Sequence, residues 1–582
     1  MKYPTLYTKE NSRQMVDTFK GYNHNLRIGN GEWFDMQNLT SDHYPVLSPR
    51  RKRGVYTTPD HVTGMIAKDA LCYVDGRYFV MNEYRVDMGL SDEPKQLISM
   101  GAYVIILPDK KYINTLDLTD FGNIDASVTT TADVTFTLCT VDGADYAVTA
   151  ISDTAPQEPA DLAYWIDTST TPHTLKQYSA TSAVWVAVPT TYVKIHSTGI
   201  GRPFNQYDGV TISGITDERI QELNSTAVIW GKGDDYIVIT GILDTNITTE
   251  VTDGAITIAR KMPAVDYITE SGNRLWGCRY GVANNGEVVN ELYACKLGDF
   301  KNWNCFMGTA TDSYAVSCGT DGPFTGAITH LGLPIFFKEN CMHKVYGNYP
   351  ANFQVQDTAC RGVQKGCEKS LAIVNEVLYY KAQSGIVAYD GSLPTEVSYV
   401  FGTEQYSAAV AGVHGNKYYI SMQKPSTETW HLFVYDAAKN LWHLEDDLQA
   451  ELFCSCREEL YAVDHRTGNI ITMLGSGTID SEPVEWMAES GEIGISSPDM
   501  KYISRMTVRL SLEVGSRIDF YAQYDLSDEW VHLGGMTGTS LRSFSLPIRP
   551  RRCDHMKLKV TGTGNAKIYS ITKTIEQGRE LS

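Results

Sequence analysis

From residue 263 onward the chain repeats itself loosely, with a period of about 40 to 50 residues, and that period limits the fold more than any other feature. Each unit opens on a strand that alternates apolar and polar residues and closes on an aromatic after a polar turn. Ile268, Leu275 and Trp276 lead to Trp303; Ile335 and Phe337 lead to Tyr346; Val377 and Tyr379 lead to Tyr389, Asp390 and Gly391. The clearest unit runs from Val413 and Tyr418 to Tyr435 and Asp436, then to Asn440 and Trp442, close to a kelch-type blade end. A further unit covers residues 452–472. Period-two alternation marks half-buried strands, and short strands repeated at this spacing are how β-propeller blades read. Two partial units stand earlier. One is a hairpin at residues 71–81 turning at Asp75 and Gly76, and the other pairs residues 102–107 with 112–116. Counting these, about six to eight blades are expected.

Between residues 125 and 262 the texture changes. Thr, Asp and Ala dominate, and the turns lengthen around Pro156 and Pro159. Strands remain clear at residues 164–168, 184–188 and 236–240. This segment reads as a small β-domain inserted into the propeller, which loop-closure entropy tolerates because its cost grows slowly with length. After residue 485, alternation at residues 502–512, 517–523, 555–560 and 566–570 predicts a C-terminal β-sandwich-like domain. The fold class is all-β. The expected domains are an extended arm (1–54), the first part of the propeller (55–124), the insert (125–262), the rest of the propeller (263–484) and the C-terminal domain (485–582).

Chemistry is hard to find. There is no Walker loop, dinucleotide fingerprint, His-Glu-x-x-His or Gly-x-Ser-x-Gly, and no catalytic residue is assigned. No cofactor is expected. Twelve cysteines are spread along the chain, and Cys454 with Cys456, Cys360 with Cys367, and Cys341 with His343 lack zinc-site spacing, so no metal is expected. The thiols are expected to be reduced and mostly buried. Residues 1–10 have no leader-type apolar run, and no run of about 18 apolar residues is present to span a membrane. The formal charge of −19 argues against coating a nucleic acid, which requires clustered cations.

Two basic stretches stand out against that acidity. The arm carries Trp33, Phe34, Met36 and Leu39, then Tyr44 before Pro45 and Ser48 before Pro49, then Arg50, Arg51, Lys52 and Arg53. Residues before proline favour extended backbone, so an aromatic anchor, a stiff segment and a charge cluster follow in order. Arg549, Arg551 and Arg552 form a second basic knuckle beside prolines. Trp33, Phe34, Tyr44, Arg50, Arg51, Lys52, Arg53, Arg549, Arg551 and Arg552 are the candidate interface. Two readings stand for each stretch. The arm either docks on a partner or straps a large β-fold, with its charges solvated. The knuckle either binds carboxylate or phosphate groups or pairs with the chain's own acids.

The arm motif, Met36-Gln-Asn-Leu-Thr-Ser-Asp42 leading to Pro49 and the basic run, together with an interrupted propeller and a Cys-poor insert, resembles the tail tubular or nozzle proteins of short-tailed bacteriophages, also described as packaged-DNA stabilisation proteins. The resemblance covers most of the length as architecture but only the arm as motif. It implies a virion structural protein assembled in the host bacterial cytoplasm, a homo-hexameric ring below the portal and adaptor. Such a ring retains packaged DNA, conducts double-stranded DNA without binding it specifically, and carries fibres or receptor-binding proteins. An acidic wall suits such a conduit, because it repels phosphates instead of holding them. Two alternatives remain: a glycan-binding or glycan-cleaving propeller, and a tail-fibre or receptor-binding protein.

Overall fold

The computed structural model describes residues 11–243, 247–249, 255–282, 286–479, 482–495, 500–525, 527–549 and 551–577. The leader reading of residues 1–10 falls outside them. The fold is all-β, and its repeating element is the blade of a β-propeller. Among the described residues, six four-stranded sheets and a seventh of five strands follow one another as blades. They begin at Val62–Lys68, Gln96–Met100, Tyr267–Ser271, Gly326–His330, Ala372–Val374, Ser407–His414 and Ala450–Cys456. Gly54–Thr57, from before the first blade, pairs with Ile470–Thr472 of the last, with Val55 opposite Ile471.

The turn of the first hairpin lies one residue later than the alternation suggests. Asp75 pairs with Tyr78, leaving Gly76 and Arg77 as the two-residue turn, with Gly76 at φ 54°. A positive φ at this position is what glycine supplies at least cost.

The chain divides into two compact units. One comprises residues 1–94, 337–342 and 358–582; the other comprises 95–336 and 343–357. Within the first, successive blades pack face to face: Tyr419, Leu432 and Val434 against Leu460 and Met473, then Cys454, Val463 and Ile470 against Val62 and Leu71. Within the second, Ile105 and Leu107 meet Ile268, Leu275 and Trp303, and Trp276, Cys278 and Leu292 meet Phe336 and Val345. All twelve cysteines are free thiols, nine of them buried.

The insert has strands from Ala126–Thr129 to Thr257–Arg260, and its ends meet because Ala126 pairs with Arg260. Its core, including Phe136, Ile195, Phe204, Ile237 and Ile258, is drawn wholly from residues between those ends.

The C-terminal domain is organised around Lys501–Tyr524, a 24-residue strand. Its first half, to Leu512, pairs with Ala566–Gln577, and its second half, from Arg517, pairs with Met556–Thr563. Val531–Leu546 pairs along its other edge. One continuous strand thus joins both halves of a single eight-stranded sheet. Three strands of this eight-stranded sheet come from the opposite end of the chain: Asn11–Val16, Gly21–Tyr22 and Glu32–Gln37.

The arm is therefore built into the fold, where an extended docking segment ahead of the first domain was expected. Asn11–Val16 fills the free edge of Ala566–Gln577, and Glu32–Gln37 fills that of Glu485–Ser490. An open ladder edge leaves polar backbone unpaired, and these strands satisfy it. Nor is the segment around Tyr44 extended. Residues 42–45 form a turn with a cis Tyr44–Pro45 bond, closing a short pairing of Leu39–Thr40 with Ser48–Pro49.

Candidate functional site in the arm and the C-terminal domain

A bulge between Trp33 and Asp35 breaks the alternation along Glu32–Gln37 and turns both Trp33 and Met36 into the core, at 3% exposure each. Trp33 stacks on Phe19, with ring centroids 6.1 Å apart. Phe34 is half-buried, stacked on His24 at 4.1 Å, with the Lys557 ammonium 5.1 Å from its ring centroid. Trp33 is thus an anchor within this chain.

The basic run divides in the same way. Arg53 donates to Asp446 at 2.6 and 3.1 Å and to Glu445 at 2.9 Å. Arg50 donates to Asp446 at 3.1 Å and to the Asn38 side-chain oxygen at 2.7 Å. Asn38 takes the left-handed conformation, at φ 56°, and its amide donates to the Glu485 carbonyl at 2.8 Å. Burial by itself would raise the Asp446 carboxyl, but Arg53 and Arg50 outweigh it and hold Asp446 below the usual carboxylate range. Burial likewise opposes the charge on Arg53, and Asp446 and Glu445 reverse that effect, raising it above an ordinary arginine. These two cations are paired within the chain, although the buried Arg53 Nε has no hydrogen-bond partner.

The remaining candidates face outward. The Arg51 side chain is 70% exposed, 3.9 Å from Asp42, and Tyr44 is exposed with the Lys439 ammonium 5.9 Å from its ring centroid. Lys52 is half-buried. Arg549, Arg551 and Arg552 are exposed, with Arg551 over the Tyr524 ring at 5.6 Å; Pro550 between them lies outside the described residues. Arg50 and Arg51 line a cleft of about 500 Å³ with Ser511, Glu513, Thr539 and Lys567. The structure therefore brings the end of the arm to the Lys501–Tyr524 and Val531–Leu546 strands.

Sequence reasoning missed Asp446, Glu445 and Lys573. No local pattern marks the two acids as partners of the arm, since they lie nearly 400 residues away. Lys573 did carry a signal. Ile571, Lys573 and Ile575 share one face of an alternating strand, so a cation stands in an apolar row. Lys573 is 7% exposed, and burial pushes its ammonium down to about 8.

Among the described residues, no group of three His, Cys, Asp or Glu side chains is placed to hold a metal ion, and no helix is long and apolar enough to cross a membrane. Several buried carboxylates have structural partners. Asp436 accepts from Ser41 and Lys439, Asp167 pairs with Lys176, and Asp312 accepts the amides of Met307, Gly308 and Thr309.

No family model matches the chain, and no curated protein matches it. Among solved structures, it is similar to crystal structures of an exo-β-1,3-galactanase from Phanerochaete chrysosporium. With galactose bound, that enzyme aligns at 8% identity and a TM-score of 0.21, covering 53% of this chain and 94% of that one. A variant of it with β-1,3-galactotriose aligns at 9% identity, the same TM-score and the same coverage. A superposition this loose carries no argument about chemistry.

Proposed function

We propose that this chain is a bacteriophage virion structural protein, one subunit of a tail nozzle ring that extends the DNA channel, retains packaged DNA and conducts it on ejection. The observation that carries the reading is Val531–Leu546, a 16-residue strand that pairs on one side only among the described residues. Most of its side chains are exposed, Leu541 at 48%, and it contains neither Lys nor Pro. Monomeric proteins usually blunt so long an edge with those residues; a subunit that assembles leaves it open for another chain. Arg51 and the exposed arginines at 549, 551 and 552 supply charge for docking on acidic neighbours. Head-to-tail contacts of this kind close into rings, and the net charge of −19 suits a wall past which DNA slides.

A second reading is a glycan-binding or glycan-cleaving propeller, the class to which the galactanase belongs. Native mass spectrometry and negative-stain imaging separate the two. The nozzle reading expects a ring of about six copies, since closed cyclic symmetry follows from one repeated contact. That ring should dissolve when Arg51, Arg549, Arg551 and Arg552 are reversed to Glu. A compact monomer that binds galactan oligosaccharides saturably would establish the second reading, and a rod would overturn both.

A further inference from the structure

The C-terminal domain holds a half-open cleft of about 370 Å³. Its walls come from Asn11–Val16, the loop before Glu32–Gln37, the segment 490–495 and three of the C-terminal strands. Val16, Phe19, Ile28, Met506, Leu558 and Ile571 give it an apolar strip, beside polar groups that include Glu32, Glu492 and Lys573. Two polar groups in its walls are buried and poorly satisfied. Lys573 donates to Asn30 Oδ1 at 3.3 Å, and no carboxylate pairs with it among the described residues. Trp33 is 97% buried, and its indole Nε1, which has no hydrogen-bond partner, is closed off from the cleft. Of the two acids in the same wall, Glu32 is already engaged, accepting from the Gly29 amide at 2.5 Å and the Asn23 amide at 2.9 Å, and Glu492 lies 4.0 Å from the His555 imidazole.

Buried donors without acceptors are costly, and native proteins rarely leave them so. Here the Lys573 ammonium, a cation with only an amide oxygen as acceptor among the described residues, stands in the wall of a cleft that also carries an apolar strip. We infer that this cavity binds a linear amphiphilic carboxylate. Its head would accept from Lys573, and its alkyl tail would lie along Val16, Phe19, Met506, Leu558 and Ile571. The size fits a medium chain. At roughly 30 Å³ for each water-sized group, the cavity has room for about twelve, which matches the non-hydrogen atoms of decanoate. An anionic head is favoured over a neutral one because an ammonium-to-carboxylate hydrogen bond is charge-assisted.

The test is calorimetric titration of the full chain with decanoate, decanol and decyltrimethylammonium, with tryptophan fluorescence as a second readout. Wild type should bind one decanoate per chain saturably, and decanol and the cationic amphiphile more weakly. Lys573→Met should weaken decanoate about tenfold or more, the range for losing a hydrogen bond to a charged group, and leave decanol unchanged. Lys573→Arg should retain the preference for the anion. Ile495→Trp, which fills the cavity from its exposed rim, should abolish binding of all three and checks the site without touching the buried lysine. The inference is overturned if wild type shows no saturable decanoate binding, if Lys573→Met binds decanoate as wild type does, or if decanol binds as tightly as decanoate. The first outcome would mean that Asn30 and ordered water alone satisfy the Lys573 ammonium.

Discussion

Asp446 holds two guanidinium groups, and Arg50 and Arg53 have few other acceptors in reach. Replacing it by Asn leaves two buried cations sharing Glu445, and breaking a buried pair from one side costs about 3 kcal/mol. Asp446→Asn should therefore lower the urea midpoint clearly, whereas Arg51→Ala, on the solvated side of the same run, should shift stability by less than about 0.5 kcal/mol. The pH dependence has a definite sign. A carboxyl held below its unfolded value contributes stability above that value and loses it as pH falls through the lower, folded one. Lys573 works in the opposite sense. Its ammonium is held down to about 8 in the folded chain, so the unfolded chain binds more protons at higher pH, up to its own titration near 10.4. Stability from this group rises with pH across that window. Near neutral pH the buried charge costs about 3 kcal/mol, taking about 1.4 kcal/mol for each pKa unit. Lys573→Met should then melt higher than wild type at pH 7, with the gap closing toward pH 10; an equal or lower melting point at pH 7 would count against an isolated buried ammonium.

At the scale of elements, the blades were legible and the C-terminal sheet was only half so. The strand Lys417–Lys424, buried on both faces from Tyr418 to Met422, followed by the polar Asp436–Asn440 turn and Trp442, encodes a blade in one continuous stretch. Tyr435 and Trp442 then stack at 4.8 Å, and the Tyr435 hydroxyl donates to Asn440 at 2.6 Å. Pairing between distant segments has no such local code. Asn11 lies opposite Glu576, and nothing in either neighbourhood names the other. That is why Trp33 and Arg53 looked like docking groups when they are internal. The strand from Gly54 shows the same limit. A Cβ at Gly54 would collide with the Ser476 carbonyl and crowd the Thr472 hydroxyl, which already accepts the Gly54 amide at 3.1 Å. Gly54→Val should therefore destabilise the first unit by about 2–3 kcal/mol through overpacking. Gly76→Ala, in an open turn, should cost about 1 kcal/mol for its left-handed backbone alone. Denaturant midpoints of the two variants, measured side by side, check the contrast.

For the molecule as a whole, the insert is the part whose independence can be argued most directly. Its ends are hydrogen-bonded neighbours, Ala126 beside Arg260, and its core uses no residue from a blade. The main exceptions to that self-sufficiency are polar. Asp208 pairs with Arg260 inside the insert and accepts from Asn302 of the following blade at 2.9 Å, while Asn302 accepts the Gly209 amide at 2.9 Å. Loop-closure entropy does not forbid excision, since chain ends this close can be joined by a short linker at little cost. The penalty should come from Asn302, left with Asp299 alone, and it should be about 1–3 kcal/mol, as for one unsatisfied buried polar group. Two outcomes are expected. Residues 125–262 expressed alone should unfold cooperatively, with dispersed amide resonances. The chain with residues 126–260 replaced by a short Gly-Ser linker should keep its β-sheet circular dichroism and melt a few degrees lower. Replacing Asn302 by Leu in the excised chain should recover part of that loss, because a buried amide without partners is worse than an apolar side chain of similar volume. If the excised chain collapses entirely, the blades depend on the insert for more than this one polar contact.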